Sequence, residues 1–388
     1  MDDHSLSLFP ELERDLRTLY TTGIVPYQEL KTMIDAGYIH APCPIPESQV
    51  QPASIDLRLG LVAYQVRASF LPMGNAKVLS KVDELKVGQL DLSSPTVLQR
   101  GSVYIIPLIE ELSLPADILG KSNPKSTVGR LDVFTRLITD YGSAFERVPR
   151  GYRGALYVEV APRTFSIVVH AGTRLNQLRF IRGSPVPSDS TLNSLHRSQT
   201  LIYDEDGIPG KATISHGLWL SIDLQRRVGS DIVGYRAKQD TPPIDLDRID
   251  YYDPAEFWDA IVSPAKQQIV LVPGEFYILA SKEKVRIPPS YAAEMVAYDP
   301  SVGEFRIHYA GFFDPGFGYG SDDVKGTRAV LEVRSHEVPF LLRHGQRVGR
   351  LIYERLLNIP TKIYGRAIGS SYQGQELSLG KQFRRIPV

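Results

Sequence analysis

The chain has 388 residues, 43% of them hydrophobic, which is enough to bury a full core, and its length favours two or three domains. Its 44 Lys and Arg balance 44 Asp and Glu, so it carries no global electrostatic footprint for duplex nucleic acid. Cys43 is the only cysteine, which excludes an intrachain disulfide and a thiolate metal cluster, and no apolar run approaches the roughly 20 residues of a membrane helix.

The start, Met1-Asp2-Asp3-His4, is acidic and has no signal-peptide pattern, so a cytoplasmic protein is expected. Tyr27 to Gly37 places Leu30, Met33 and Ile34 on one face and predicts a short amphipathic helix. Short apolar runs bounded by Pro and Gly then predict strands near 54–66, 78–92, 97–108, 130–140, 154–161, 165–170 and 174–182. Pro185, Pro187 and the Ser/Asp/Thr run through Ser194 read as a linker. Asp253 to Val262 reads as a helix, since Pro254 suits its first turn.

The two halves repeat each other. Val97–Ile106 (VLQRGSVYII) matches Val270–Leu279 (VLVPGEFYIL), with Gly274 lying 173 positions after Gly101. The same offset relates Leu156-Tyr157-Val158-Glu159-Val160 to Ala329-Val330-Leu331-Glu332-Val333, and then Gly172 to Gly345 and Leu178 to Leu351. One offset across separated blocks means duplicated domains, not a solenoid of short repeats. The expected domains are 1–190 and 191–388, both mainly β with a few short helices.

Four segments have residues suited to chemistry. Pro124 to Arg130 packs Lys125, Ser126 and Arg130 around a glycine, a set that can offer N–H groups, hydroxyls and a guanidinium to phosphate, or simply be a loop entering a strand. Ala310 to Gly320 holds Asp314 and Phe317 around an Asp-Pro-Gly turn, which suits a sugar hydroxyl and a base edge, or only a tight turn. Glu159 and Glu332 each sit alone inside an apolar strand. Facing a desolvated pocket, such a carboxylate suits acid/base work; facing outward, it is a solvated side chain. The polar stretch with Tyr364, Arg366, Tyr372, Gln373 and Gln375 reads as a lid over a ligand or a disordered end.

Taken together, Gln51–Gly60 (QPASIDLRLG), Lys125–Arg130 (KSTVGR), Phe313–Phe317 (FDPGF) and Tyr372–Gln375 (YQGQ) resemble the dCTP deaminases, over most of both halves. The resemblance implies two tandem dUTPase-like distorted β-barrel (β-clip) domains in a trimer or a multiple of it. It implies deamination of dCTP to dUTP and ammonia, supplying dUTP for thymidylate synthesis, with Mg2+ bound alongside the triphosphate and no zinc. A zinc deaminase would need a Pro-Cys-x-x-Cys pair, which one cysteine cannot supply. dUTP diphosphatase activity and a non-catalytic nucleotide sensor are the alternatives.

Residue roles follow from the matched motifs. Ser126 and Arg130 match the segment near the catalytic water and phosphates. Copy one has Arg147-Val148-Pro149-Arg150 where the family's aspartate is expected, while copy two has Ala310, Asp314 and Phe317. Copy two in turn departs from Ser-x-x-x-Arg in Asp299–Arg306. Each half keeps what the other lost. The expected site therefore combines Ser126 and Arg130 with Glu332, Ala310, Asp314 and the Gln373 tail. Glu332 is the expected base and Glu159 the second choice; Lys125, Arg366 and the tail face the triphosphate.

Overall fold

The computed structural model describes residues 21–227, 229–296, 305–307 (backbone), 311–319, 325–335, 337–365 and 375–385. Of the expected site residues, Ala310, Arg366, Tyr372 and Gln373 lie outside these residues, as does most of the Asp299–Arg306 segment.

The first half folds into two main sheets. One runs in the order Lys86–Asp91, Val62–Val66, Val103–Ser113, Arg153–Pro162, Val133–Thr139, with Ile39–His40 on the flank of Val103–Ser113. The other runs Gly23–Ile24, Arg174–Arg182, Ile118–Pro124, Arg147–Val148, with Ile55–Arg58 also paired to Arg174–Arg182. The second half repeats the order. Trp258–Val262, Ile232–Ala237, Phe276–Val285, Thr327–Ser335 and Phe305–Ile307 form one sheet; Leu218–Ser221, Arg347–Arg355, Tyr291–Met295 and Phe312–Phe313 form the other.

Register repeats as well as order. Glu159 lies opposite Ile105, and Glu332 lies opposite Ile278. Leu178 pairs with Ser122, and Leu351 pairs with Met295. Each second pair stands 173 positions after the first. A one-residue slip would turn every side chain to the opposite face, so shared register means shared inward positions.

The halves are packed into one another. The Ile244–Asp245 strand of the second half adds in parallel to Ile167–Val169 of the first. Phe165 of the first half meets Phe257 and Trp258 edge to face, at 6.0 and 5.3 Å between ring centres. Phe383, near the end of the chain, closes the same aromatic cluster against Phe257 at 5.4 Å. Each such pair contributes about 0.5–1.5 kcal/mol beyond the area it buries.

The helix predicted from Tyr27 is present over Tyr27–Asp35, with Leu30 and Met33 buried. Three other expectations need correction. Residues 78–92 are not one strand: Val78–Leu85 is a helix and only Lys86–Asp91 is extended. Val78 and Val82, four apart, share a buried helix face, and Asp140 Oδ1 accepts the Val78 N–H at 2.8 Å at the helix start. The supposed linker contains the helix Asp189–Gln199, capped by the Ser188 hydroxyl and buried through Leu192 and Leu195. The predicted helix at Asp253 lasts only for Pro254–Phe257 and gives way to the strand Trp258–Val262, whose Trp258 is drawn into the aromatic cluster.

Candidate active site

The strand Ile118–Pro124 ends in Pro124, and Ser126–Gly129 makes a single helical turn. The Val128 and Gly129 N–H groups both donate to Lys125 O, at 2.8 and 3.0 Å. Val128 and Leu131 anchor this turn in the core. Lys125 and Arg130 therefore leave from its two ends, with half-buried Ser126 between them.

Arg130 is buried and points into the second half. Its Nη1 donates to Ser378 Oγ at 2.8 Å, to Ser378 O at 3.0 Å and to Leu379 O at 3.3 Å. Its Nη2 donates to Gln375 Oε1 at 2.9 Å. These bonds to both Nη groups offset much of the cost of burying the guanidinium.

Glu332 lies in the middle of Thr327–Ser335, near enough to feel the Arg130 charge. All nine residues of that strand are buried, because both its faces are covered, so alternation along the strand does not send Glu332 to solvent. Burial pushes its carboxyl up to about 8, against the opposing charge of Arg130. The first copy's guanidinium thus acts on the second copy's carboxyl within one chain.

Lys125, at the other end of the turn, pairs with Asp56. Beyond them lies Asp314, in the turn that follows Phe312–Phe313. Phe317 N donates to Asp314 O at 3.0 Å, and Gly316 takes φ +95°, a conformation that favours glycine. Burial raises the Asp314 carboxyl to about 6; Arg179 and Lys125 oppose the rise and Asp56 adds to it. Phe317 packs edge to face on Phe313 at 5.0 Å and against Tyr364 at 5.5 Å, and Tyr364 N donates to Pro315 O at 2.7 Å. The apolar rings and the carboxylate are therefore one rigid unit.

Glu159 is not part of this assembly. Its Oε1 accepts from Arg136 Nη2 at 2.5 Å and Nε at 3.0 Å, and the Arg136 guanidinium lies 3.6 Å from the Phe145 ring centre. In copy one, Val148 lies opposite Gly120, as Phe313 lies opposite Ala293. Pro149 then falls where copy two has Asp314, and it has no carboxylate to offer.

Sequence reasoning assigned no role to Arg179, Asp56, Ser378 or Lys381. Asp56 lies inside the QPASIDLRLG motif and Arg179 is a lone charge in the apolar run Leu178–Ile181, a signal equal to that of Glu332. Burial lowers the Lys381 ammonium; Lys125 and Arg174 add to the fall while Asp56 and Asp247 oppose it, so charges of both signs gather on this side of the turn.

Two family models match the chain: the N-terminal domain of 2'-deoxycytidine 5'-triphosphate deaminase over residues 21–184, and its C-terminal domain over residues 188–383. A solved structure titled 2'-deoxycytidine 5'-triphosphate deaminase, from Agrobacterium tumefaciens, is 46% identical, with a TM-score of 0.83 over 87% of this chain and 99% of that one. A Halobacterium salinarum protein named dCTP deaminase, dUMP-forming, is 29% identical over 170 residues, which is 43% of this chain and 78% of the relative. A Dictyoglomus thermophilum protein of the same name is 24% identical over 162 residues, 41% of this chain and 80% of the relative. These two relatives are thus about half as long as this chain. With one family model on each half and a structural match over 87% of its length, the chain belongs to the dCTP deaminase family.

Proposed function

We propose that this chain hydrolyses dCTP to dUTP and ammonia at one site per chain, built from the Ser126–Arg130 turn of the first copy and Glu332 and Asp314 of the second. The observation that carries this reading is the buried Glu332 carboxyl on a second-copy strand that Gln375 ties to the first copy's Arg130. A carboxyl raised to about 8 exchanges protons near neutral pH at little cost in either direction. Glu332 takes a proton from water as the oxygen attacks C4 of cytosine. It passes a proton to N3 or to the departing amine, so that water and dCTP yield dUTP and ammonia. Arg130 and Ser126 hold the water and its developing charge. Asp314 accepts the deoxyribose 3′-hydroxyl, and the Phe317–Tyr364 unit backs the nucleoside.

The donor set around Lys125 fits a triphosphate. Lys125 and Arg174 stand against the carboxylate of Asp56, and Lys381 feels all three charges, so three cations are at hand for phosphate oxygens. Mg2+ bound to the triphosphate would share its charge, held by phosphate oxygens rather than by side chains. The fold reading is two tandem dUTPase-like barrels, and the family implies assembly into a trimer or its multiple.

The names of the two half-length relatives specify dUMP as product, which favours one further reading: diphosphate release following deamination. Purified protein incubated with dCTP and Mg2+, without zinc, tests both. Ammonia with dUTP supports deamination alone; ammonia with dUMP and pyrophosphate supports the bifunctional enzyme. Binding of dCTP with no ammonia released would make the chain a nucleotide sensor.

A further inference from the structure

Asp314 is held from the other copy. Arg179 lies on Arg174–Arg182 of the first half and its side chain is fully buried. The guanidinium stacks on Phe312 of the second half, 3.9 Å from the ring centre. Its Nη1 donates to Glu354 Oε2 at 3.1 Å and to Ala293 O at 3.4 Å. Its Nη2 stands 3.8 Å from Asp314 Oδ1, and among the described residues neither of those two atoms makes a hydrogen bond.

At 3.8 Å in a buried setting, a guanidinium still favours the ionised carboxylate strongly. The other charges facing Asp314 are Asp56 and Lys125, which pair with each other and largely cancel. Glu354 is engaged by the other end of the guanidinium. Arg179, shared with Glu354, is therefore the cation that stands within 4 Å of Asp314 among the described residues.

We propose that Arg179 is a positioning residue for sugar recognition: from the first copy it keeps the Asp314 carboxylate of the second copy charged and aimed, so that Asp314 can accept the 3′-hydroxyl of the nucleotide. This rests on the reading of Asp314 given above. Arg179 itself, fully buried, acts through Asp314 rather than on the ligand.

The test is binding of dCTP and of 2′,3′-dideoxy-CTP, each with Mg2+, to the full chain by calorimetry, in a Glu332→Gln background that stops turnover. A charge-assisted hydrogen bond to the 3′-hydroxyl predicts a preference for dCTP on the order of 10- to 100-fold. Asp314→Asn and Arg179→Gln should each remove most of that preference, and the double variant should lose no more than either alone. In Arg179→Gln the preference should return in part as pH is raised to 8.5, because Asp314 ionises later without its cation. Glu354→Gln disturbs the same buried group but leaves Arg179 to Asp314, and should keep the preference. Loss of preference in Glu354→Gln equal to that in Arg179→Gln, with no recovery at high pH, would overturn the proposal in favour of simple packing. Full preference in Arg179→Gln beside its loss in Asp314→Asn would overturn it directly. Full preference in Asp314→Asn would remove the proposal together with the sugar-binding reading of Asp314, whereas failure of the parent chain to release ammonia from dCTP strikes the deaminase reading alone.

Discussion

Arg130 Nη2 donates to Gln375 Oε1 at 2.9 Å, joining two residues 245 positions apart. The same contact draws the end of the chain over the turn that starts at Ser126. Gln375 also donates from Nε2 to Arg328 O at 3.3 Å, so it ties the first copy's turn to the strand that carries Glu332. Removing the Gln375 amide should loosen that tie. Gln375→Leu is expected to lower kcat about 10-fold or more and to destabilise the chain by about 1–3 kcal/mol, the usual cost of leaving a buried donor unmatched. Unchanged kcat in this variant would show that the tail does not serve Arg130.

The two strand glutamates should behave differently. Glu332→Gln is expected to lower kcat by roughly 10²–10⁴-fold with dCTP binding retained, as for loss of a general acid/base. Glu159→Gln should deaminate within a few-fold of wild type. It leaves the partly exposed Arg136 with a neutral acceptor, however, and should cost about 1–3 kcal/mol of stability, read as a fall in denaturation midpoint. Loss of turnover in the Glu159 variant alone would move the base to copy one.

Glu332 should also shape the pH dependence of stability. Its folded-state carboxyl titrates at about 8, above its ordinary 4.5. Below about 4.5 both folded and unfolded chains hold the proton and nothing is lost. Between about 4.5 and 8 the unfolded chain releases it while the folded chain keeps it, so stability falls as pH rises. Glu332→Gln has no such proton. Its melting temperature relative to wild type should therefore climb from pH 5 to pH 8, by an amount equivalent to a few kcal/mol at most. A difference that stays flat with pH would contradict the buried environment described for this carboxyl.

Asp314 should set the acid limb of substrate affinity. Its carboxyl, raised to about 6, must be ionised to accept the sugar hydroxyl. The KM for dCTP should rise as pH falls through about 6, while Asp314→Asn should have a raised KM that no longer follows pH there. Initial rates across pH 5–8 in both proteins decide the matter.

Metal dependence separates the proposed chemistry from that of zinc deaminases. EDTA should abolish turnover and excess Mg2+ restore it, whereas a zinc-selective chelator should leave the rate unchanged. Inactivation by the zinc-selective chelator, reversed only by Zn2+, would defeat the mechanism.

Much of the molecule was legible because duplication leaves a periodic trace. The 173-residue offset seen in Gly101/Gly274 and Glu159/Glu332 reappears as strand register in the folded chain. Local signals misled where distant partners intervene. Val78–Leu85 is helical because Asp140 caps it and a distant apolar surface takes its Val78/Val82 face. Trp258 is extended because the aromatic cluster claims it.

The sequence by itself determined that there are two related halves, which motif each retains, and that one half's turn lacks its carboxylate. Those are statements about residue identity and spacing. Tertiary structure alone decided that the complementary pieces meet within a single chain, that Glu332 is desolvated while Glu159 is neutralised by Arg136, and that Arg179 stands behind Asp314. Burial and charge proximity depend on what packs on both faces of a strand: in Thr327–Ser335, Leu331 and Val333 join the second half's core, while Arg334 reaches Asp132 and Thr164 of the first half.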